Sequence, residues 1–249
     1  MLESNSSQKV RYMALLAISA TAVYLMVVTE FRFLDPLSIL IVVGGTCLAG
    51  LVSYDLEDLK FAISESLHSK KVDSREFDHR IEYFAELASI KKVKGDVSME
   101  DFAKAEYDSM IKKGLQLIAD GVSVDEIRKY LIIDYRIILE KKRYSIKILN
   151  QLAAVAPAAG LIGTVVGLIQ MLSMVNNSSE LSHGLSVSLL TTLYGAVLSY
   201  LFLQPLANKL ESHIEGEDML LDLTVEGVVA IASGYAPQLL RERLESFAS

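Results

Sequence analysis

Apolar residues in this chain collect into four uncharged blocks, set apart by charged stretches or short polar ones. The blocks run over about Met13–Val28, Leu37–Tyr54, Leu152–Val175 and Leu185–Ala207. A helix needs roughly 20 residues to cross a hydrocarbon core, with about 17 as a working minimum. The third and fourth blocks meet that length. The first two are short and are completed by Tyr12, Phe33 and Tyr54 at their ends. The pattern predicts four membrane spans in two pairs. Thr29–Asp35 joins spans one and two as a tight hairpin, and Asp35 with Pro36 opens span two as an N-cap followed by a first-turn proline. No A-x-A-like cleavage site follows the first block, so it is expected to be retained.

The remaining chain reads as helix. Leu56–Ser69 is amphipathic and Glu76–Ile90 follows it. Ser98-Met99-Glu100-Asp101 resembles a capping box and predicts a helix to Ile118. Gly121 ends that helix, and Ser123-Val124-Asp125-Glu126 starts another. No breaker intervenes before Pro157, so this last helix is expected to enter span three directly. After span four, Asn208–Ser249 predicts helix with a break near Gly234–Pro237. The fold class expected is an all-α membrane protein, with four transmembrane helices and a large helical cytoplasmic domain. Its parts are an N-terminal transmembrane hairpin (1–54), a cytoplasmic helical domain (55–149), a transmembrane pair (150–207) and a cytoplasmic tail (208–249).

Charge sets the orientation. Of 24 Lys and Arg residues, 18 lie between Tyr54 and Leu149, together with 19 acidic residues. The Thr29–Asp35 loop carries only Arg32, Asn176–Gly184 carries no base, and Lys9 and Arg11 precede span one. The positive-inside rule therefore puts both termini and the large loop on the cytoplasmic side of the inner membrane. A net charge of -7 gives no reason to expect nucleic acid. The single cysteine, Cys47, excludes an internal disulfide and reads as a small apolar packing residue. Gly160–Gly167 lacks the lysine of a phosphate-binding loop. His68, His79, His183 and His213 are scattered and have no metal-ligand spacing. Neither enzyme activity, nor a metal site, nor a cofactor is expected.

No span contains Asp, Glu, Lys, Arg or His. Ion pathways through membranes normally use such groups, so an ion conductor of this composition must borrow its titratable group from another subunit. What the spans do carry is small and hydroxylated. In span three Gly163 and Gly167 form G-x-x-x-G, with Ala156 and Gly160 extending the small stripe. Pro157 removes one helical hydrogen bond and is expected to free the carbonyl of Ala153, which with the Thr164 hydroxyl would offer oxygen ligands. In span four Thr191, Gly195 and Ser199 share one face, and Ser188, Thr192 and Ala196 the adjoining one. Helix packing in lipid and an oxygen-lined ion path both account for these residues.

Span three, Val155-Ala156-Pro157-Ala158-Ala159-Gly160-Leu161-Ile162-Gly163-Thr164-Val165-Val166-Gly167-Leu168, closely resembles the signature of the MotA/PomA stator family. Ser188–Ala196 followed by Pro205-Leu206-Ala207, and Leu37–Gly45, are similar to the same family, as are Lys113-Gly114 and Asp120-Gly121. The resemblance implies the A-subunit of an ion-driven flagellar stator in the MotA/TolQ/ExbB superfamily. Such subunits form a homopentamer around a dimer of a MotB/PomB-like single-span partner, which carries the essential Asp. Cation flow, Na+ or H+, then drives rotation and torque on the rotor switch complex. By motif position, Pro157, Thr164, Thr191 and Thr192 would line the ion path, and Gly160, Gly163, Gly167 and Gly195 would pack the helices. Lys91, Lys92, Lys94, Glu100 and Asp101 would meet the rotor. Threonines at 164 and 191 resemble the sodium-driven members. Ala154 stands where those members often have an acid, and Asp96 where a glycine is usual. The alternative is a TolQ/ExbB-like or other MotA-like energiser of a non-flagellar envelope process; such relatives usually have three spans.

Overall fold

The computed structural model describes residues 33–70, 72–173 and 178–248. The predicted span one, Met13–Val28, and the loop residues Lys9, Arg11 and Arg32 lie outside the described residues. Among the described residues every regular element is helical. Helix α1 covers Pro36–Ser53, α2 Leu56–His68, α3 Ser74–Lys94, α4 Met99–Ala105 and α5 Ser109–Ala119. Helix α6 runs unbroken over Val124–Ser173, and α7 covers Ser178–Val197. A π-helical turn at Leu198–Leu203 leads into α8, Gln204–Ala232, and α9 covers Pro237–Ala248. Three of these stretches are long and apolar enough to cross a membrane: α1, part of α6, and the helix over Leu181–Ala232.

The chain divides into two compact units, residues 1–52 with 152–202, and residues 53–151 with 203–249. The first is apolar on its outside. Its α1 opens as predicted: the backbone N–H of Ser38 donates to the Asp35 carboxylate at 2.8 Å, and Pro36 occupies the first turn. The Tyr194 hydroxyl of α7 donates to the Phe33 carbonyl and accepts the Asp35 N–H, tying the head of α1 to α7. A π turn at Leu40–Gly44 interrupts α1, and the Thr46 hydroxyl donates to the Val42 carbonyl at 2.7 Å.

The second unit has an ordinary globular interior. From Leu220 to Ile231, α8 is buried on nearly every side, with Phe84 against its Gly227, and Leu87, Met99, Leu115, Ile127, Leu131 and Leu240 are fully buried in the same unit. Each such side chain contributes about 1.5–3 kcal/mol on leaving water. Close approach requires Gly114, where a Cβ would stand 2.8 Å from Val228. The helix predicted from Ser98 to Ile118 is in fact two. The Glu106 carboxylate accepts the N–H groups of Tyr107 and Asp108, and the Asp108 carboxylate accepts those of Met110 and Ile111, so the chain turns and caps a new helix. Ser98 makes no cap and donates to the Gly95 carbonyl instead. The Ser123 capping contact with the Glu126 N–H does form. The tail breaks after Ala232 and resumes at Pro237, as predicted.

Ion pairs bind this second unit together. Glu226, almost wholly buried, takes Arg128 of α6 on one oxygen and Arg243 of α9 on the other. Lys142 of α6 lies between Glu65 of α2, at 3.0 Å, and Glu217 of α8, at 2.8 Å. Burial works to lower the pKa of Lys142, but its hydrogen bonds to Glu217 and Glu65 outweigh that and the net shift is upward. A raised lysine pKa means that its stabilisation is complete below the ordinary lysine value and is lost only as pH climbs through the folded one.

Candidate functional site

The glycines of α6 exist to let α7 in. A Cβ on Gly160 would stand 2.7 Å from the Thr191 carbonyl oxygen, and one on Gly163 would stand 2.5 Å from the Thr191 side chain. One on Gly167 would collide with the Ser188 hydroxyl and stand 2.7 Å from the Gly184 carbonyl. From the other side, a Cβ on Gly195 would meet the Ala156 carbonyl at 2.8 Å. Gly184 completes the series: a Cβ there would stand 2.8 Å from the Gly167 carbonyl oxygen and from the Met171 nitrogen. The two helices therefore pack antiparallel with their backbones in close approach at Gly160–Gly195 and at Gly167–Gly184, and with the Thr191 side chain against Gly163 between them, the closeness that small residues permit in a lipid-facing pair. Gly184 lies one helical turn before Ser188, and that spacing is the signal by which sequence could have found it.

Hydroxyls fill the seam between the rungs. The Thr164 hydroxyl approaches that of Thr192 at 2.6 Å and lies within hydrogen-bonding reach of the Ser188 carbonyl at 3.1 Å and of its own Gly160 carbonyl. The Ser188 hydroxyl returns the contact, 3.0 Å from the Thr164 carbonyl. Thr192 is exposed and Thr164 half-buried, so this pair opens to the surface of the unit. Thr191 differs: it is fully buried, and its hydroxyl turns back on the Val187 and Ser188 carbonyls of its own helix. The structure thus brings Thr164 and Thr192 together and sets Thr191 behind them, against Gly163.

Pro157 is half-buried within α6 and leaves the helix unbroken. The Ala153 carbonyl that it deprives of a donor is not free, contrary to the expectation from sequence. Ser199 of the π turn donates its hydroxyl to it at 2.7 Å, and both residues are buried. A buried carbonyl without a donor would cost about 1–3 kcal/mol, and a serine on the facing helix removes that cost. The oxygen offered by this region is therefore hydroxyl, from Thr164 and Thr192.

The charged candidates separate in the same way. Lys91 is largely buried, and its ammonium donates to the carbonyls of Ile231 and Ala232, both at 2.8 Å, while pairing with Asp96 at 3.2 Å. It thus caps the C-terminus of α8. Lys92, Lys94, Glu100 and Asp101 are exposed. Glu100 pairs with Lys104 at 2.9 Å, and that hydrogen bond holds its carboxyl pKa below the ordinary value. Among the described residues no group of His, Cys, Asp and Glu could hold a metal ion.

The family model described as the MotA/TolQ/ExbB proton channel family matches residues 103–222. The chain is 34% identical to the uncharacterized protein YtxD of Bacillus subtilis, over 89% of this chain and 82% of that protein. It is 31% identical to the chemotaxis protein PomA of Vibrio alginolyticus, over 86% of this chain and 84% of PomA. The chain belongs to the MotA branch of the MotA/TolQ/ExbB proton channel family. Its fold agrees with that membership: a chain of the flagellar MotAB stator complex from Bacillus subtilis superposes with a TM-score of 0.81, covering 92% of this chain and 91% of that one at 27% identity. The family match begins inside α4 and ends inside α8, so it takes in the whole glycine and hydroxyl seam of this MotA-family chain.

Proposed function

We propose that this MotA-family chain is the A-subunit of an ion-driven flagellar stator, coupling cation flow across the inner membrane to torque on the rotor. The observation that carries the proposal is the seam of α6 and α7. Hydroxyls from Thr164 and Thr192 meet at 2.6 Å in a region whose spans hold no Asp, Glu, Lys, Arg or His. Such a surface can pass a partly hydrated cation from oxygen to oxygen but cannot load it. The charge comes from a single-span partner of the MotB/PomB kind bearing a membrane Asp. The chain assembles as a homopentamer around a dimer of that partner, with four spans per subunit and both termini in the cytoplasm. The 27% identical chain from a flagellar MotAB stator complex supports the pairing with a MotB-like partner.

Pro157, Thr164, Thr191 and Thr192 form the ion-pathway group, Thr164 and Thr192 at the surface and Thr191 as the buried support. The test is rotation of tethered cells that express the chain with its single-span partner. Thr164→Val is expected to slow rotation about tenfold, because it leaves the Thr192 hydroxyl and the Ser188 carbonyl short of a partner. Thr164→Ser is expected to keep most of it. Unchanged rotation in the valine variant would remove the seam from the ion path.

The rotor-facing group consists of Lys91, Lys92, Lys94, Glu100 and Asp101, with the exposed four meeting the switch complex and Lys91 shaping the segment from within. Reversing Lys92 and Lys94 together to Glu is expected to reduce torque severalfold while the melting temperature stays within a few degrees, since both side chains are exposed. Full torque from that double variant would place the rotor contact elsewhere.

A further inference from the structure

Two irregularities of the helix pair face each other. In α6, Pro157 removes the N–H that would bond the Ala153 carbonyl. Opposite it, the helix continuing from α7 widens into a π turn at Leu198–Leu203. Ser199, the second residue of that turn, reaches across to the orphaned carbonyl at 2.7 Å and is only 2% exposed. A π turn adds a residue to the helical count and so swings the following side chains by about 100°. The two defects thus coincide, and one hydrogen bond joins them.

This bond also ends the antiparallel series described above. Ser199 pairs with Ala153, Gly195 with Ala156 and Gly160, Thr191 with Gly160 and Gly163, Ser188 with Thr164 and Gly167, and Gly184 with Gly167. Thr192 lies seven residues before Ser199, and Thr164 seven after Pro157, which is about two turns along the same face of each helix. Glycine rungs allow close approach but by themselves fix no register. Directional bonds do: the reciprocal Thr164–Ser188 pair holds the middle of the series, and the Ser199–Ala153 bond holds its end.

We propose that Ser199 is a positioning residue for the ion path: through the Ala153 carbonyl it ties the turn of α6 that Pro157 deprives of a hydrogen bond to the π turn after α7, and so, together with the Thr164–Ser188 bonds, holds Thr164 opposite Thr192. The functional half of this proposal rests on the stator reading; the bond itself does not. Removing the hydroxyl leaves a buried carbonyl that can regain a donor only by local rearrangement of α6, which carries Thr164 with it.

The test separates the two halves. The chain has two Ala–Ala linkages, 153–154 and 158–159. Full-length protein labelled with carbonyl 13C-alanine and 15N-alanine, assembled with its partner in bilayers, therefore gives two carbonyl–nitrogen correlations in solid-state NMR, with Ala158 as internal reference. Ser199→Ala is expected to move the Ala153 carbonyl upfield and leave Ala158 in place, while Ser199→Thr keeps both. An Ala153 resonance unmoved in the alanine variant overturns the proposal. In tethered cells Ser199→Ala is expected to rotate about tenfold more slowly at unchanged membrane abundance, the equivalent of losing one partner of a buried hydrogen bond. Ser199→Thr is expected to restore rotation. Normal rotation in the alanine variant, or a threonine variant that keeps the resonance but rotates as slowly as alanine, overturns the positioning role. If the wild-type chain drives no rotation with any single-span partner while the resonance shifts as expected, the stator reading fails and the bond stands.

Discussion

Gly167→Val is expected to abolish ion-driven motility while the chain still reaches the membrane. At this rung two backbones meet: a Cβ would stand 2.7 Å from the Gly184 carbonyl, 2.8 Å from the Ser188 N–H nitrogen, and closer still to the Ser188 hydroxyl. Neither helix can yield locally. Ser188 is held by its bonds to the Thr164 and Gly184 carbonyls, and at Gly184 the backbones of Gly167 and Met171 leave no room even for a Cβ. Overpacking a close-fitting site costs about 1–3 kcal/mol where side chains can adjust, and more where backbone must move. Valine adds two methyl groups beyond that Cβ, so the pair has to splay or slide, and the Thr164–Thr192 contact is lost. The measurement is swimming speed at matched membrane abundance, with Gly44→Ala as the control, since a Cβ there meets nothing nearer than Leu40 at 3.6 Å in its own helix. Near-normal swimming by the Gly167 variant would show that the seam does not need its close contact.

Lys142→Met is expected to destabilise the second unit by about 2–3 kcal/mol at neutral pH, somewhat below the cost of breaking a fully buried pair because the partners are not wholly enclosed. The lysine bridges Glu65 and Glu217, and its side chain is 15% exposed. Methionine fills the aliphatic space but leaves two carboxylates facing each other across α2, α6 and α8. Their remaining neighbour is His213, 3.3 Å from Glu217. The sign with pH follows from the charge left behind. Two carboxylates that have lost their shared ammonium repel each other, and the penalty is greatest where both are ionised. It shrinks as pH falls through the carboxylate range and protons bind the folded form. Thermal melts of wild type and variant, in detergent from neutral pH to about pH 4, should therefore converge on the acid side. A constant gap across that range would mean that lost packing, and not lost charge, sets the effect.

The long-range pattern of the fold was written plainly in the chain. An uncharged run such as Pro36–Ser53 has few alternatives to a membrane span, and the unbroken course of α6 follows from the lack of any breaker between Val124 and Pro157. Glycines at 160, 163, 167 and 195 signal close approach because they are costly in a helix for any other reason. What stayed hidden was partnership. Ser199 stands on the expected face, but nothing local states that its hydroxyl replaces the donor lost at Pro157; that depends on the antiparallel register, which is a tertiary quantity. Thr191 and Thr192 are adjacent and chemically identical, and only the seating of Gly163 decides which is buried. The false helix from Ser98 to Ile118 arose because Glu106 and Asp108 are ordinary helix-surface residues by composition, and become turn formers only when their carboxylates bond the following N–H groups. Lys91 looked like Lys92 and Lys94 for the same reason.

The capping of α8 by Lys91 has a consequence for exchanging parts between relatives. The ammonium belongs to one stretch of chain and the carbonyls it serves to another, about 140 residues away. A chimera that imports residues 91–96 from a cousin receives a cap cut for a different helix end, and one that imports the tail alone loses its own. Any transplant of this region has to carry the Lys91 segment and the end of α8 as a single module.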